Sequence, residues 1–118
     1  MSRLNMALVQ LNPVVGDIVG NTKKIIEAVL AAERDFQADM VVFPELTLTG
    51  YPPEDLLLRP SLSTRINAAI EELCKQKFSS HVVVGYPKTV EGRLYNMAGV
   101  ISQGKVICEY AKQCLPNY

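Results

Sequence analysis

Residues 40–57 read Met40-Val41-Val42-Phe43-Pro44-Glu45-Leu46-Thr47-Leu48-Thr49-Gly50-Tyr51-Pro52-Pro53-Glu54-Asp55-Leu56-Leu57. The apolar run Met40–Phe43 stops at Pro44, the pattern of a buried strand reaching its end. Glu45 follows at once. A carboxylate there stands at the mouth of a sheet, where α/β proteins place ligands. Read without chemistry, the same stretch is a strand end, a turn and a solvated acid.

Outward from this stretch, the chain alternates strands and helices. On the N-terminal side, Asn5–Leu11 is short, apolar and free of breakers until Asn12-Pro13, and reads as a first, central strand. A loop through Val14-Val15-Gly16-Asp17 leads to a helix start marked by Gly20-Asn21-Thr22, with Asp17 or Asn21 as its cap. From Thr22 to Phe36 the residues Ile25, Ile26, Val29, Leu30 and Phe36 recur at helical spacing and form the expected buried face. Strand, helix and strand make a βαβ unit, so the first two strands are expected to be parallel.

On the C-terminal side, Arg59-Pro60-Ser61 opens a second helix, with Leu62, Ile66, Ala69, Ile70, Leu73 and Cys74 as its apolar stripe. A third strand is predicted over His81–Tyr86, with Pro87–Val90 leading to a Glu91-Gly92 turn. Further strands follow over Arg93–Ser102 and Lys105–Tyr110, joined by a tight Gln103-Gly104 turn. Helical links early and hairpins late predict a mixed sheet, parallel inside and antiparallel outside.

Composition excludes several classes. The chain has 118 residues, 48% of them apolar, enough for one domain with a real core. Lys plus Arg balances Asp plus Glu at 12 each, and no basic stripe is visible, so nucleic acid is not an expected partner. No apolar run approaches a membrane span, and the N-terminal residues do not read as a signal peptide. Cys74, Cys108 and Cys114 show no C-x-x-C spacing and are read as reduced thiols of a cytoplasmic protein; no metal site is expected. Cys74 falls on the helix stripe as a buried structural thiol. His81 is read as a strand-end group with no catalytic role.

The segment Phe43-Pro44-Glu45-Leu46-Thr47-Leu48-Thr49-Gly50-Tyr51 resembles the glutamate motif of the nitrilase superfamily, which cleaves amide or nitrile C–N bonds with a Glu, a Lys and a Cys. Pro52-Pro53-Glu54-Asp55-Leu56-Leu57 is similar to one branch, the glutaminase domains of glutamine-dependent NAD synthetases. Lys112-Gln113-Cys114-Leu115-Pro116-Asn117-Tyr118 resembles the motif that carries the family's lysine. The two motifs occur in the family's order. The implied fold is part of a four-layer α-β-β-α sandwich, a mixed sheet with helices on one face. The 118 residues are then the N-terminal part of a carbon–nitrogen hydrolase domain, with the rest of that domain and a synthetase domain outside them.

The resemblance implies roles residue by residue. Glu45 becomes the general base and acid, a task that suits a carboxylate enclosed at a strand end. Lys112, by pattern alone a surface lysine, becomes the enclosed cation beside the developing oxyanion. Tyr118 becomes a substrate-binding residue of a glutamine pocket. The family's nucleophilic Cys lies beyond the lysine motif, and Cys114 is read as part of that motif instead, so the 118 residues alone are expected to be inert. ATP, Mg and deamido-NAD are implied for a synthetase domain; these residues contain no G-x-x-x-x-G-K loop. A homo-oligomer is expected, since the family assembles through its sandwiches and an uncovered sheet face favours association. Two other readings stay open: a stand-alone amidase or carbamoylase of the superfamily, and a non-catalytic α/β module.

Overall fold

The computed structural model describes residues 4–50 and 61–114. In chain order they form β1 (Met6–Leu8), α1 (Ile18–Phe36), β2 (Met40–Val42), α2 (Ser61–Lys75), β3 (His81–Val90), β4 (Arg93–Ser102) and β5 (Lys105–Cys114). The strands make one five-stranded sheet in the order β1-β2-β3-β4-β5. β1, β2 and β3 run parallel, and β3–β4 and β4–β5 pair antiparallel. The mixed sheet expected from the switch between helical links and hairpins is present.

Both hairpins close with two-residue turns. Glu91 and Gly92 have φ of 50° and 77°, and Gln103 and Gly104 have 51° and 80°. Positive φ at both central positions matches the twist of the flanking strands, and glycine takes the second position without a Cβ penalty.

One set of alternating sheet positions carries the core. Val41, Val82, Val84, Tyr86, Met97 and Ile101 join Ile25 and Val29 of α1 and Leu62, Ile66, Ala69 and Leu73 of α2 in a single buried cluster. Both helices therefore serve the same sheet face. The other face shows Met6 (52% exposed), Leu8 (76%) and Tyr110 (65%), and among the described residues the turn after β2 is what lies on it.

Several boundaries differ from the sequence reading. The first strand is three residues long and sits at the edge of the described sheet, not at its centre. α1 begins at Ile18, a turn earlier than Thr22, because Asp17 is its cap: Asp17 Oδ1 accepts from Gly20 N at 3.0 Å. Leu30 and Phe36 are exposed, and the buried face instead uses Ile18, Asn21, Thr22, Ile25, Val29 and Ala32. β3 continues through Pro87 to Val90. The proline is tolerated because the carbonyls of Val83 and Gly85 face away from β4, toward Phe43 N and Leu48 N. By two-residue alternation Pro87 turns its missing N–H the same way, out of the β3–β4 ladder. β5 extends four residues past Tyr110, to Cys114, which places Lys112 inside a strand.

Candidate active site

Glu45 is positioned by a turn braced from three sides. β2 ends at Val42, and Phe43 N still donates to Val83 O at 3.0 Å. The chain then turns through residues 45–49, with Leu46 at φ 51°. Leu48 N donates to Gly85 O at 3.2 Å and Thr49 N to Leu46 O at 3.3 Å. The Thr47 hydroxyl donates to Pro44 O. From α1, Asn21 Nδ2 donates to Leu48 O at 3.2 Å and to Val14 O at 2.8 Å, and Asn21 Oδ1 accepts from Val14 N at 2.8 Å. Gly16 N donates to Thr49 O at 2.9 Å. One buried amide thus ties the loop before α1 to the turn after β2.

Gly85 is the floor beneath that turn. A Cβ on Gly85 would lie 2.6 Å from Leu46 N and 3.2 Å from Glu45 Cα, so any side chain there would push the turn off the sheet. Leu46, Thr47, Leu48 and Thr49 are buried. The Glu45 side chain is left 41% exposed, on the sheet face opposite the helices.

Lys112 reaches the same place from β5. The β4–β5 register runs Met97↔Ala111 and then Asn96↔Gln113, which leaves Lys112 as the extra residue of a β-bulge. A bulge re-aims the side chain it carries and is a common device beside active sites. Lys112 Nζ stands 3.7 Å from Glu45 Oε1, although the two residues are 67 positions apart in the chain. The two side chains are paired. The enclosure expected of them is absent: the Lys112 side chain is 42% exposed. An exposed pair at that separation adds about 0–1 kcal/mol to stability, so it does little for the fold. What it brings together is a carboxylate, a group able to take and give a proton, and an ammonium, a group able to face developing negative charge.

A second cluster holds β5 in place on the helix-facing side. Tyr86 OH donates to Glu109 Oε2 at 2.5 Å, and Lys88 Nζ donates to Glu109 Oε1 at 2.5 Å. Tyr86 lies directly over Gly99, where a Cβ would meet its ring. The contact bridges β3 to β5 across β4. Burial pushes the Glu109 carboxyl up, but the hydrogen bonds from Lys88 and Tyr86 and the Lys88 charge outweigh it, and its pKa lies below 4.5. Burial first, and then the bond to Glu109, push the Tyr86 hydroxyl well above its ordinary value of 10.0.

The other residues singled out in the sequence fall elsewhere. Cys74 is half-buried on α2, and burial, followed by the Glu71 charge, raises its thiol pKa, as suits an inert structural thiol. Cys108 is exposed on β5. His81 opens β3, exposed. Tyr118 and the Pro52–Leu57 continuation lie outside the described residues. Among the described residues, no helix is long and apolar enough to cross a membrane. Sequence reasoning missed the bracing role of Asn21, the Tyr86–Glu109–Lys88 cluster and the bulge at Lys112. Gly85 did carry a signal, since a lone glycine inside an apolar strand marks a close backbone approach.

Comparison with known proteins gives the same picture. Residues 5–117 match the carbon-nitrogen hydrolase family. The glutamine-dependent NAD(+) synthetase of Thermotoga maritima is 44% identical over 125 aligned residues, covering 100% of this chain and 20% of the relative. That of Xanthomonas campestris pv. campestris is 41% identical, covering 98% of this chain and 21% of the relative. The solved glutamine-dependent NAD+ synthetase of Acinetobacter baumannii, in complex with ADP, superposes with a TM-score of 0.85 at 42% identity, over 96% of this chain and 21% of that one. An amidase from Nesterenkonia sp. shares the fold, with a TM-score of 0.77 at 22% identity over 92% of this chain and 42% of that one. The chain spans about a fifth of the length of the synthetases it matches. With residues 5–117 matched by its model, this chain belongs to the carbon-nitrogen hydrolase family.

Proposed function

We propose that these residues supply the acid–base carboxylate and the cation of a glutaminase site, and that the protein carrying them is a glutamine-dependent NAD synthetase. The observation that supports this most directly is the 3.7 Å approach of Lys112 Nζ to Glu45 Oε1 from 67 positions apart in the sequence. Identity of 36–44% to curated synthetases supports this reading over a stand-alone amidase.

In the proposed reaction Glu45 accepts the proton of a cysteine thiol contributed from outside the described residues. The thiolate attacks the carboxamide carbon of glutamine, and the C–O π pair moves to oxygen. The Lys112 ammonium faces that oxyanion, a position where fixed positive charge lowers the barrier. As the tetrahedral intermediate collapses, the C–N bond breaks and Glu45 returns its proton to the departing ammonia. A water then adds to the thioester, with Glu45 again taking the proton, and glutamate leaves as the thiol is restored. Tyr118 would line the glutamine pocket. ATP, Mg and deamido-NAD would be held by a synthetase domain, which consumes the ammonia; no step of the hydrolysis depends on them.

The described thiols do not fit the nucleophile. Cys74 lies on α2, and Cys108 lies four positions before Lys112, on the order of 13 Å along the strand. The 118 residues alone are therefore proposed to be inert toward glutamine, and to associate through the open sheet face of a protein that works in the cytoplasm. Ammonia release and light scattering on the isolated chain read both properties. Glutamine hydrolysis that disappears in Cys114→Ser would overturn the first, and a dilute stable monomer the second.

The deciding experiment is Glu45→Gln in the intact synthetase. Glutamine-dependent NAD formation falls by at least about a hundredfold, the size of general acid–base contributions, while synthesis from free ammonia is retained. Equal glutamine turnover in the variant would remove Glu45 from the mechanism.

A further inference from the structure

Asn96 is an unexpected residue for its place. It lies in the middle strand of the β3–β4–β5 ladder, opposite Pro87 on one side and Gln113 on the other. It is 1% exposed. Its Oδ1 is fully buried and has no hydrogen-bond partner among the described residues. Asparagine is a poor strand former, and a buried acceptor without a donor is destabilising. Such a departure from local consistency is most often found at a functional site.

Its position gives it a use. Gly85 and Ala98 are register partners, so they share a sheet face, and Asn96 shares it two residues along β4. The open Cβ position of Gly85 points at the Glu45 turn, so this is the face on which Glu45 lies. Glu45 stands above β3, while Lys112 rises from β5 at the bulge flanked by Gln113, the register partner of Asn96. The pair at 3.7 Å therefore bridges over β4, and Asn96 is in the floor beneath it.

We propose that Asn96 is a positioning residue for Lys112: its Oδ1 accepts a hydrogen bond from the ammonium during the part of the cycle in which Glu45 is protonated. This rests on the proposed hydrolysis. When Glu45 has taken the thiol proton it is neutral and no longer holds Lys112 by charge. The ammonium would then be free to swing into water at the moment the oxyanion needs it. A buried neutral acceptor below it keeps it in place without competing for the proton. No bond to carbon is made or broken by Asn96, and no proton is transferred to it.

The test uses the intact enzyme and two readouts. The first is the crystal structure of Glu45→Gln, which mimics the protonated acid. Lys112 Nζ is expected within about 3.2 Å of Asn96 Oδ1; Lys112 in solvent, or Asn96 Oδ1 bonded to another group, overturns the proposal. The second is Asn96→Leu, similar in shape but without the acceptor. It is expected to lower kcat for glutamine about tenfold or more with KM within about twofold, at an unchanged or raised Tm. Asn96→Asp, which keeps an acceptor oxygen, is expected to retain more kcat than Asn96→Leu. Wild-type kcat in Asn96→Leu, or a loss of kcat matched by a fall of several degrees in Tm, overturns the proposal. If the parent protein hydrolyses no glutamine, the function reading fails separately, and the Glu45→Gln structure still decides the role of Asn96.

Discussion

Glu45 and Lys112 meet across one sheet, but they are carried by opposite kinds of structure. The turn that carries Glu45 is buried from Leu46 to Thr49 and is braced by bonds from Gly16, Asn21 and Gly85. The strand that carries Lys112 is exposed along its whole described length, from Lys105 onward. Its bulge and its ladder to β4 set the lysine's position, with the Tyr86–Glu109 contact as a brace on the other face. The acid is seated on the core, and the cation on an exposed edge of the described sheet.

The comparison breaks most severely at Gly85. Gly85→Ala puts a Cβ 2.6 Å from Leu46 N, a backbone atom that must then shift. Overpacking of this kind costs about 1–3 kcal/mol in stability. A shift of the turn by about an ångström would lower glutamine turnover about a hundredfold. Denaturant unfolding and steady-state kinetics check the two halves; a wild-type midpoint would mean that the turn is not seated on Gly85.

Asn21→Ala should come next. It strips partners from Val14 N, Val14 O and Leu48 O inside the fold, a loss of about 1–3 kcal/mol by urea denaturation. Activity should fall through the Glu45 turn, and Lys112 should be undisturbed. A variant as stable as the parent would show that the loop before α1 does not brace the turn.

How far the sequence reached follows the same division. Periodicity located both helices and all five strands, because burial against one face leaves an alternating or helical record in residue type. It overstated the buried face of α1 at Leu30 and Phe36, since hydrophobicity says nothing about which residues the neighbouring elements cover. The place of Glu45 at a strand end was legible because an apolar run, a proline and an acid are consecutive, but that pattern fits a solvated acid equally well and only the motif singled it out. Lys112 was legible only through its motif: a bulge is a property of register between two strands, and neither strand's own sequence records it. Asn21 was legible as a helix-start residue, but its bonds to Val14 and Leu48 join residues up to 27 positions apart. Tertiary bonds of that kind leave no local pattern.

The edge itself can be probed with pH. Glu109 has its folded pKa depressed below 4.5, so its contribution is complete above that value and is lost as pH falls through the folded pKa. Tyr86 has its pKa raised above 10.0, so its contribution is complete below pH 10 and is lost as pH rises beyond it. Stability measured across pH should therefore sag at both ends. Glu109→Gln should flatten the acid limb, and Tyr86→Phe the alkaline one. Limbs unchanged in both variants would mean that this contact does not secure β5.

The smallest expected effect on the fold is at Lys112. Its side chain and that of Glu45 are 42% and 41% exposed, and their closest atoms are 3.7 Å apart. Solvent screens such a pair, so Lys112→Met should alter unfolding free energy by less than about 1 kcal/mol. On the proposed mechanism the same change in the intact enzyme removes the charge that would face the oxyanion, and loss of one such group is expected to lower kcat about 100- to 1000-fold. At Gly85 stability and activity should fall together, because the acid is seated on the core. At Lys112 they should part, because the cation stands on an edge that folds equally well without it. A large loss of stability in Lys112→Met would erase that contrast and make the pair a structural one.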